Sequence, residues 1–340
     1  MSGADRMSQP IEELRPSDPL PDMAALVARG EPLVLRDLVA HWPAVGWARE
    51  SDTAFARGLA GLDAGGEVDT LVMAPEEAGC IGYNADLSGF NYDHFRVTVT
   101  EGLRRIAHEE RQERPHGVAI QSAPIADCLP GFLAGHPLTL LDPAIAPRLW
   151  IGNRVTTPAH FDEYHNIACV AAGRRRFTLF PPEQVVNLYI GPLDFAPTGA
   201  AISLARLDRP DDPRFPRLRE ALAAAQVAEL EPGDAIYIPP LWWHHVASLG
   251  RLNALVNYWW KPVPAGGAAT GTALGALLHA ILAFRRLGPD ERAGWRVLLD
   301  HYAFGDTDPG AHIPIERRGP LAELTPGQAA AMRETIKRYL

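Results

Sequence analysis

Four ionisable side chains crowd into six residues, His160 to His165, of a run that otherwise has the character of a strand: TTPAHFDEYHN, Thr156 to Asn166. Burying such groups unpaired costs several kcal/mol, so the stretch either lies at the surface or is built to hold something. Side chains of a strand alternate between its two faces. A continuous strand would place His160, Asp162 and Tyr164 on one face and Phe161, Glu163 and His165 on the other. An imidazole and a carboxylate two residues apart on one face can share one cation. A third ligand must come from elsewhere, and WWHHV, Trp242 to Val246, offers it. His244 and His245 point to opposite sides of a strand, so one of them can reach the interior that His160 and Asp162 share. Two histidines and one carboxylate leave about three positions open on an octahedral ion, which suits non-haem Fe(II) with a bidentate co-substrate and O2. Zinc more often takes a closed tetrahedral set.

The surroundings of the motif are strand-like. From Arg148 onward, RLWIGN, AHFDEYHNIACVAA, RRFTLFP, VAELEPGDAIYIP, WWHHVASL and NALVNYWW read as short strands punctuated by Gly and Pro. That spacing predicts a β-sandwich or barrel, with a long insertion carrying a short helix between Pro181 and Gln226. Upstream, residues 1–22 read as an N-terminal arm and Met23 to Gly30 as a short helix ending at glycine. Pro32 to Leu38 reads as a strand, His41 to Trp47 as a packed turn and residues 48–66 as helical. VDTLVMA and HGVAIQSAP read as strands on either side of a helix near Val99 to Gln112. After Pro264 the pattern turns helical, with Thr325 placed to cap the last helix.

A chain of 340 residues has room for one large domain with an appendage. Its net charge of -9 argues against a broad surface for nucleic acid or anionic membrane. The longest apolar run, Ala269 to Phe284, is too short for a membrane span and is interrupted by His279. The N-terminal residues contain no apolar signal-peptide core. Cys80, Cys128 and Cys169 are odd in number and widely spaced, as for reduced thiols, so a cytoplasmic setting is expected.

TPAHFDE, GRRRFTLFPP, LEPGDAIYIPPLWWHHV and NYWWK together resemble the cupin-like Jumonji-C (JmjC) oxygenases, including the asparaginyl hydroxylase that inhibits hypoxia-inducible factor. EPLVLRDLVAHWPAVGW resembles the entry motif of that group, so the likeness runs from about Pro32 to Lys261. The resemblance implies a mainly β fold, a double-stranded β-helix (cupin jelly roll) with an N-terminal α/β flank and C-terminal helices. The expected partition is an arm over 1–22, a cupin-like JmjC domain over 23–263 and a helical region over 264–340. The resemblance also implies a dioxygenase that uses Fe(II), 2-oxoglutarate and O2 to hydroxylate a C–H bond of a protein side chain or small molecule, releasing succinate and CO2. His160, Asp162 and His244 match the metal ligands; His244 is chosen over His245 because the family's ligand directly follows the Trp-Trp pair. Thr157 matches a threonine on the co-substrate carboxylate. Asn166 and Asn257 match asparagines near the iron and 2-oxoglutarate, and Trp259 matches an aromatic of the same cavity. Similar oxygenases form two-fold dimers through C-terminal helices, and Leu274, Leu277, Leu278, Ile281 and Leu282 would give such a helix a wide apolar face.

Two positions depart from the pattern. The residue aligned with the family's lysine for the distal carboxylate of 2-oxoglutarate is Arg175, and an assisting tyrosine is replaced by Ala119. Arginine offers a carboxylate a bidentate fork, and loss of the ring could make room for it. The opposite outcome is a subsite with a changed ligand. That keeps open a metal-dependent cupin of another class, such as an isomerase, a lyase or a 2-oxoglutarate-independent oxygenase, or else a non-catalytic binding jelly roll. Glu163, Tyr164 and the segment Gly82 to Asp93 are further positions that could border the substrate entrance.

Overall fold

The structure, a computed structural model, describes residues 8–197, 199–261 and 273–338. It divides into two compact units, Met1–Trp260 and Lys261–Leu340. Six strands open the first unit: β1 (Gln9–Pro10), β2 (Glu13–Leu14), β3 (Leu33–Leu35), β4 (Glu67–Met73), β5 (Tyr92–Thr98) and β6 (Gly117–Pro124). Eight more follow: β7 (Arg148–Gly152), β8 (Thr156–His160), β9 (His165–Ala172), β10 (Arg175–Phe180), β11 (Gln226–Leu230), β12 (Ala235–Ile238), β13 (Trp243–Ser248) and β14 (Asn253–Trp260).

These strands make a small sheet ordered β1-β11-β10-β13-β8 and a large one ordered β2-β3-β12-β9-β14-β7-β6-β4-β5. The last eight therefore pass back and forth: β7, β9, β12 and β14 lie in the large sheet, β8, β10, β11 and β13 in the small one. This is the double-stranded β-helix expected from the sequence. The large sheet is buried on both faces at its centre. Along β9, Ala168 and Val170 enter the core between the sheets, while Ile167, Cys169 and Ala171 enter a second core on the other side. Two-sided burial is why the strand reads as a continuous apolar run.

Several elements differ from the sequence reading. AHFDEYHNIACVAA is two strands, because β8 stops at His160 and β9 starts at His165 in the opposite sheet. VAELEPGDAIYIP is likewise cut between β11 and β12. Gly233 occupies the left-handed region at φ 112°, and Asp234 accepts the Glu231 N–H at 3.0 Å. His41 to Trp47 is not a packed turn; a helix spans Pro43–Glu50 with proline in its first turn, where no N–H is needed. Residues 48–66 are not one helix either, since Ser51 caps a second helix, Asp52–Ala60, and accepts the Ala54 N–H at 3.0 Å. Part of the expected N-terminal arm is paired: β1 runs parallel to β11 and β2 parallel to β3. The helix Val99–Glu109 begins at a reciprocal cap between Thr98 and Glu101.

In the second unit, helices span Ala273–Phe284, Pro289–Leu299 and Pro326–Lys337, the last capped by Thr325. The expected helix start at Ala269 lies outside the described residues. Leu277, Ile281 and Leu282 are exposed, the last at 79%. Among the described residues, no helix is long and apolar enough to cross a membrane.

Candidate metal centre

β8 and β13 are antiparallel neighbours, and their register sets His160 directly opposite His244. The register slips between His244 and Val246, so β8 carries an extra residue at Pro158–Ala159. Proline has no N–H for the ladder, and a bulge is where a sheet tolerates it. The bulge frees the Pro158 carbonyl to accept from His160 Nδ1 at 2.9 Å. The Trp242 carbonyl accepts from His244 Nδ1 at 3.1 Å in the same way. Each imidazole thus has its proton held on Nδ1 and its Nε2 lone pair free, the arrangement that orients a metal-binding histidine. The ring centroids are 4.1 Å apart. Burial, reinforced by the neighbouring His160, pushes the His244 pKa down, which favours the neutral ring that a metal binds.

Asp162 is not on the strand. It lies where the chain leaves β8 for the other sheet, so the alternation expected from the sequence does not place it. Its main-chain carbonyl accepts the Leu241 N–H at 2.9 Å. Leu241 occupies the left-handed region at φ 66°, strained for a leucine, in the turn that delivers His244. Asp162 Oδ2 lies 3.7 Å from His244 Nε2 and accepts the Trp259 indole N–H at 2.9 Å. Ligand atoms of His160, Asp162 and His244 all fall within 4.8 Å of one another. Two imidazoles and a carboxylate with their ligand atoms gathered in this way fit a divalent first-row ion. His245 pairs with Thr178 on the neighbouring strand and does not line the cavity around the three ligands.

That cavity lies between the sheets and measures ≈ 90 Å³, several times the roughly 10–15 Å³ that a cavity needs to hold one water. Thr157, His160, Asp162, Asn166, Arg175, His244, Asn257 and Trp259, the eight residues singled out from the sequence, all line it. The polar chain along the large sheet has a fixed sense. Asp162 can only accept, so the Asn166 amide donates to it (3.5 Å) and the Asn257 amide donates to Asn166 Oδ1 (2.9 Å). Asn257 Oδ1 is left buried without a partner.

Arg175 is brought in by the turn before β10. Gly173 stands at φ 70° against Leu252 and Asn253, and a Cβ there would lie 2.4 Å from the Leu252 carbonyl oxygen. The Arg175 side chain is buried, its Nε has no partner, and among the described residues no carboxylate pairs with it. Burial alone lowers its pKa, to about 10, so it stays cationic. A desolvated cation without a counter-charge is unfavourable by several kcal/mol, which fits a site completed by an anion. Arg174, by contrast, points outward to Glu229 at 3.8 Å.

Ala119 does not line the cavity; it packs with Leu71, Met73, Ile81 and Val155. Glu163 and Tyr164 are not among the lining residues either. The segment Gly82 to Asp93 is fastened to the chain that brings Ala200 to the cavity. The Tyr83 hydroxyl donates to the Phe195 carbonyl at 2.6 Å, the Tyr92 hydroxyl donates to that of Pro197, and Phe90 stacks on Phe195 at 4.6 Å. Sequence reasoning missed the apolar lining, Phe177, Ile238, Val246 and Leu255, and it missed Trp150. Strand alternation with Leu149 and Ile151, which face the other core, could have assigned Trp150 to the interior.

The signature of the cupin-like domain family covers residues 20–266. Lysine-specific demethylase JMJ31 of Arabidopsis thaliana is 35% identical over 133 residues, 39% of this chain and 23% of that protein. Jumonji C domain-containing protein 5 of Drosophila melanogaster is 33% identical over 121 residues, 35% of this chain and 28% of that protein. Lysine-specific demethylase JMJ30 of Arabidopsis thaliana is 27% identical over 242 residues, 68% of this chain and 50% of that protein. The chain thus spans half or less of the length of these relatives. It belongs to the cupin-like JmjC family, a family of 2-oxoglutarate-type oxygenases whose members generally use Fe(II).

Proposed function

We propose that the chain is an Fe(II)- and 2-oxoglutarate-dependent dioxygenase that hydroxylates a C–H bond, with a protein side chain as the favoured substrate and a small molecule as the other. The observation that carries this reading is Arg175: a buried cation without a counter-charge among the described residues, in the same cavity as the His-Asp-His cluster. When bound, Fe(II) and 2-oxoglutarate would supply oxidising power from O2, with 2-oxoglutarate ending as succinate and CO2. His160, Asp162 and His244 would hold the iron. Arg175 and Thr157 would hold the carboxylate remote from it, and Asn166, Asn257 and Trp259 would keep Asp162 oriented. Phe177, Ile238, Val246 and Leu255 exclude water from the reacting end. Release of succinate in step with substrate consumption by the iron-loaded protein tests the reading. Metal binding without any 2-oxoglutarate turnover would reject it.

The names of two similar proteins as lysine-specific demethylases favour a protein substrate, and the net charge of -9 disfavours nucleic acid. The domain limits proposed are 1–22, 23–263 and 264–340. Three buried free cysteines favour a reducing, cytoplasmic setting. A two-fold homodimer through the C-terminal helices is supported by the exposed Leu277, Ile281 and Leu282. Light scattering at micromolar concentration should then give twice the 37.0 kDa chain mass.

A further inference from the structure

The indole Nε1 of Trp150 is buried and has no hydrogen-bond partner among the described residues. Indole nitrogen only donates, and a buried tryptophan N–H ordinarily finds an acceptor. Trp150 belongs to the large sheet. Its neighbours on β7, Leu149 and Ile151, face the outer core, so this indole is the strand's contribution to the space between the sheets. It sits opposite Leu255 in register and stands edge-on to Trp259, with centroids 6.1 Å apart at 72°. Trp150 also lines the cavity that contains Arg175 and Thr157. Arg175 from the small sheet and Trp150 from the large one thus line one cavity from opposite walls, and among the described residues neither Arg175 Nε nor Trp150 Nε1 has an acceptor. A buried orphan donor beside a cavity that also holds polar groups calls for a ligand acceptor or an ordered water.

We propose that Trp150 is a binding residue for the co-substrate, its N–H donating to the same carboxylate that Arg175 neutralises. This rests on the reading of the cavity as a 2-oxoglutarate site. A carboxylate has about four acceptor positions on its two oxygens, so it can be held from both sheets at once. A guanidinium alone would accept many anions; a second, directional donor on the facing wall selects for a carboxylate at one distance from the metal. Trp150 is then a determinant of co-substrate length and charge, and its bare N–H has a purpose in the ligand-free chain.

The test is calorimetry on the full chain loaded with Mn(II), which occupies imidazole–carboxylate sites without turnover. Wild type is compared with Trp150→Phe and with Trp150→benzothienylalanine, which exchanges the N–H for sulfur at nearly unchanged shape. The titrants are 2-oxoglutarate and 2-oxovalerate, equal in carbon number but with only the first bearing a second carboxylate. A hydrogen bond to a charged group predicts about tenfold weaker 2-oxoglutarate binding in both variants, with 2-oxovalerate unaffected. The sulfur variant should melt no lower than wild type in the absence of ligand, because it loses only an unpaired donor. Equal 2-oxoglutarate affinity in wild type and the sulfur variant would overturn the role of Trp150 and leave the cavity reading intact; an ordered water on the indole would give that result. Equal losses for both titrants would reduce Trp150 to a shaping residue. A wild type that takes up Mn(II) but no 2-oxoglutarate would remove both proposals.

Discussion

The two walls of the cavity carry different chemistry. The small sheet supplies His160 and Thr157 from β8, His244 from β13 and Arg175 from β10. The large sheet supplies Asn166 from β9, Asn257 and Trp259 from β14, and Trp150 from β7. For polar groups, one wall brings two imidazoles, a hydroxyl and a cation; the other brings neutral amides and indoles. Asp162 sits on the crossing between the sheets and is touched from both sides, by His244 at 3.7 Å and by the Trp259 indole at 2.9 Å. On this division, small-sheet residues would hold the metal and neutralise the co-substrate, and large-sheet residues would orient and select through directional neutral donors. Losses should therefore be steep on the first wall and graded on the second.

The largest effect is expected at the ligands. Asp162→Ala should leave two histidines and abolish stable metal uptake, read as metal content after gel filtration. His245→Ala should keep the metal, because that ring lies outside the cavity. If His245→Ala lost the metal and His244→Ala kept it, β13 would present the opposite face.

Arg175 comes next. Arg175→Met removes a charged partner of the co-substrate and should weaken 2-oxoglutarate binding by about 2–5 kcal/mol. The same variant should melt at the same or higher temperature without ligand, since a similar-sized apolar chain replaces an unpaired buried cation. A fall in both quantities would mean that Arg175 serves the scaffold.

On the orienting wall, Trp259→Phe keeps a ring but loses the donor to Asp162. Changes in groups that hold a metal ligand typically cost 10–100-fold in metal affinity. Competition with a chelator should show a loss in that range, with uptake retained at saturating metal. Complete loss of uptake would erase the distinction between the two walls.

These walls were unequally legible in the sequence. The binding wall depends on short local motifs, TPAHFDE, GRRRF and WWHHV, whose residues lie close together in the chain. Even there the warrant for Asp162 was wrong in detail, because β8 ends at His160 and the carboxylate arrives on a crossover. Alternation looked unbroken through Phe161 to Tyr164, since a change of sheet leaves no mark on a period-two pattern. Trp150 was harder to read: alternation sets it on the face opposite Leu149 and Ile151, but no local motif marks that face as the one toward the cavity. The helix at Pro43–Glu50 hid behind a proline and a glycine that read as a turn, although proline is favoured in a helical first turn.

The smallest effect concerns the other face of the large sheet. His165 adjoins Asn166 on β9 and therefore points away from the cavity. It packs against both Tyr237 and Trp260, with centroids 6.0 and 5.3 Å away, and its Nδ1 lies 2.8 Å from the Tyr237 hydroxyl. Burial lowers its pKa below the ordinary histidine value of 6.5. Above pH 6.5 both folded and unfolded chains hold this ring neutral, and its contribution to stability is full. As the pH falls through 6.5 the unfolded chain takes up a proton that the folded chain resists, so stability declines until the folded ring also titrates. His165→Phe keeps a ring in the stack and cannot protonate. It should flatten the fall in denaturation midpoint on the acid side of 6.5, by less than about 1.4 kcal/mol per pH unit. The buried His136, also lowered by burial, titrates in both proteins and leaves a residual slope. The Tyr237 hydroxyl loses its partner in the variant, so the slopes carry the information and the absolute midpoints do not. Affinity for 2-oxoglutarate should be unchanged; a marked loss would show that the outer face of β9 also governs the site, and the contrast between the walls would have to be redrawn as one between inner and outer strands.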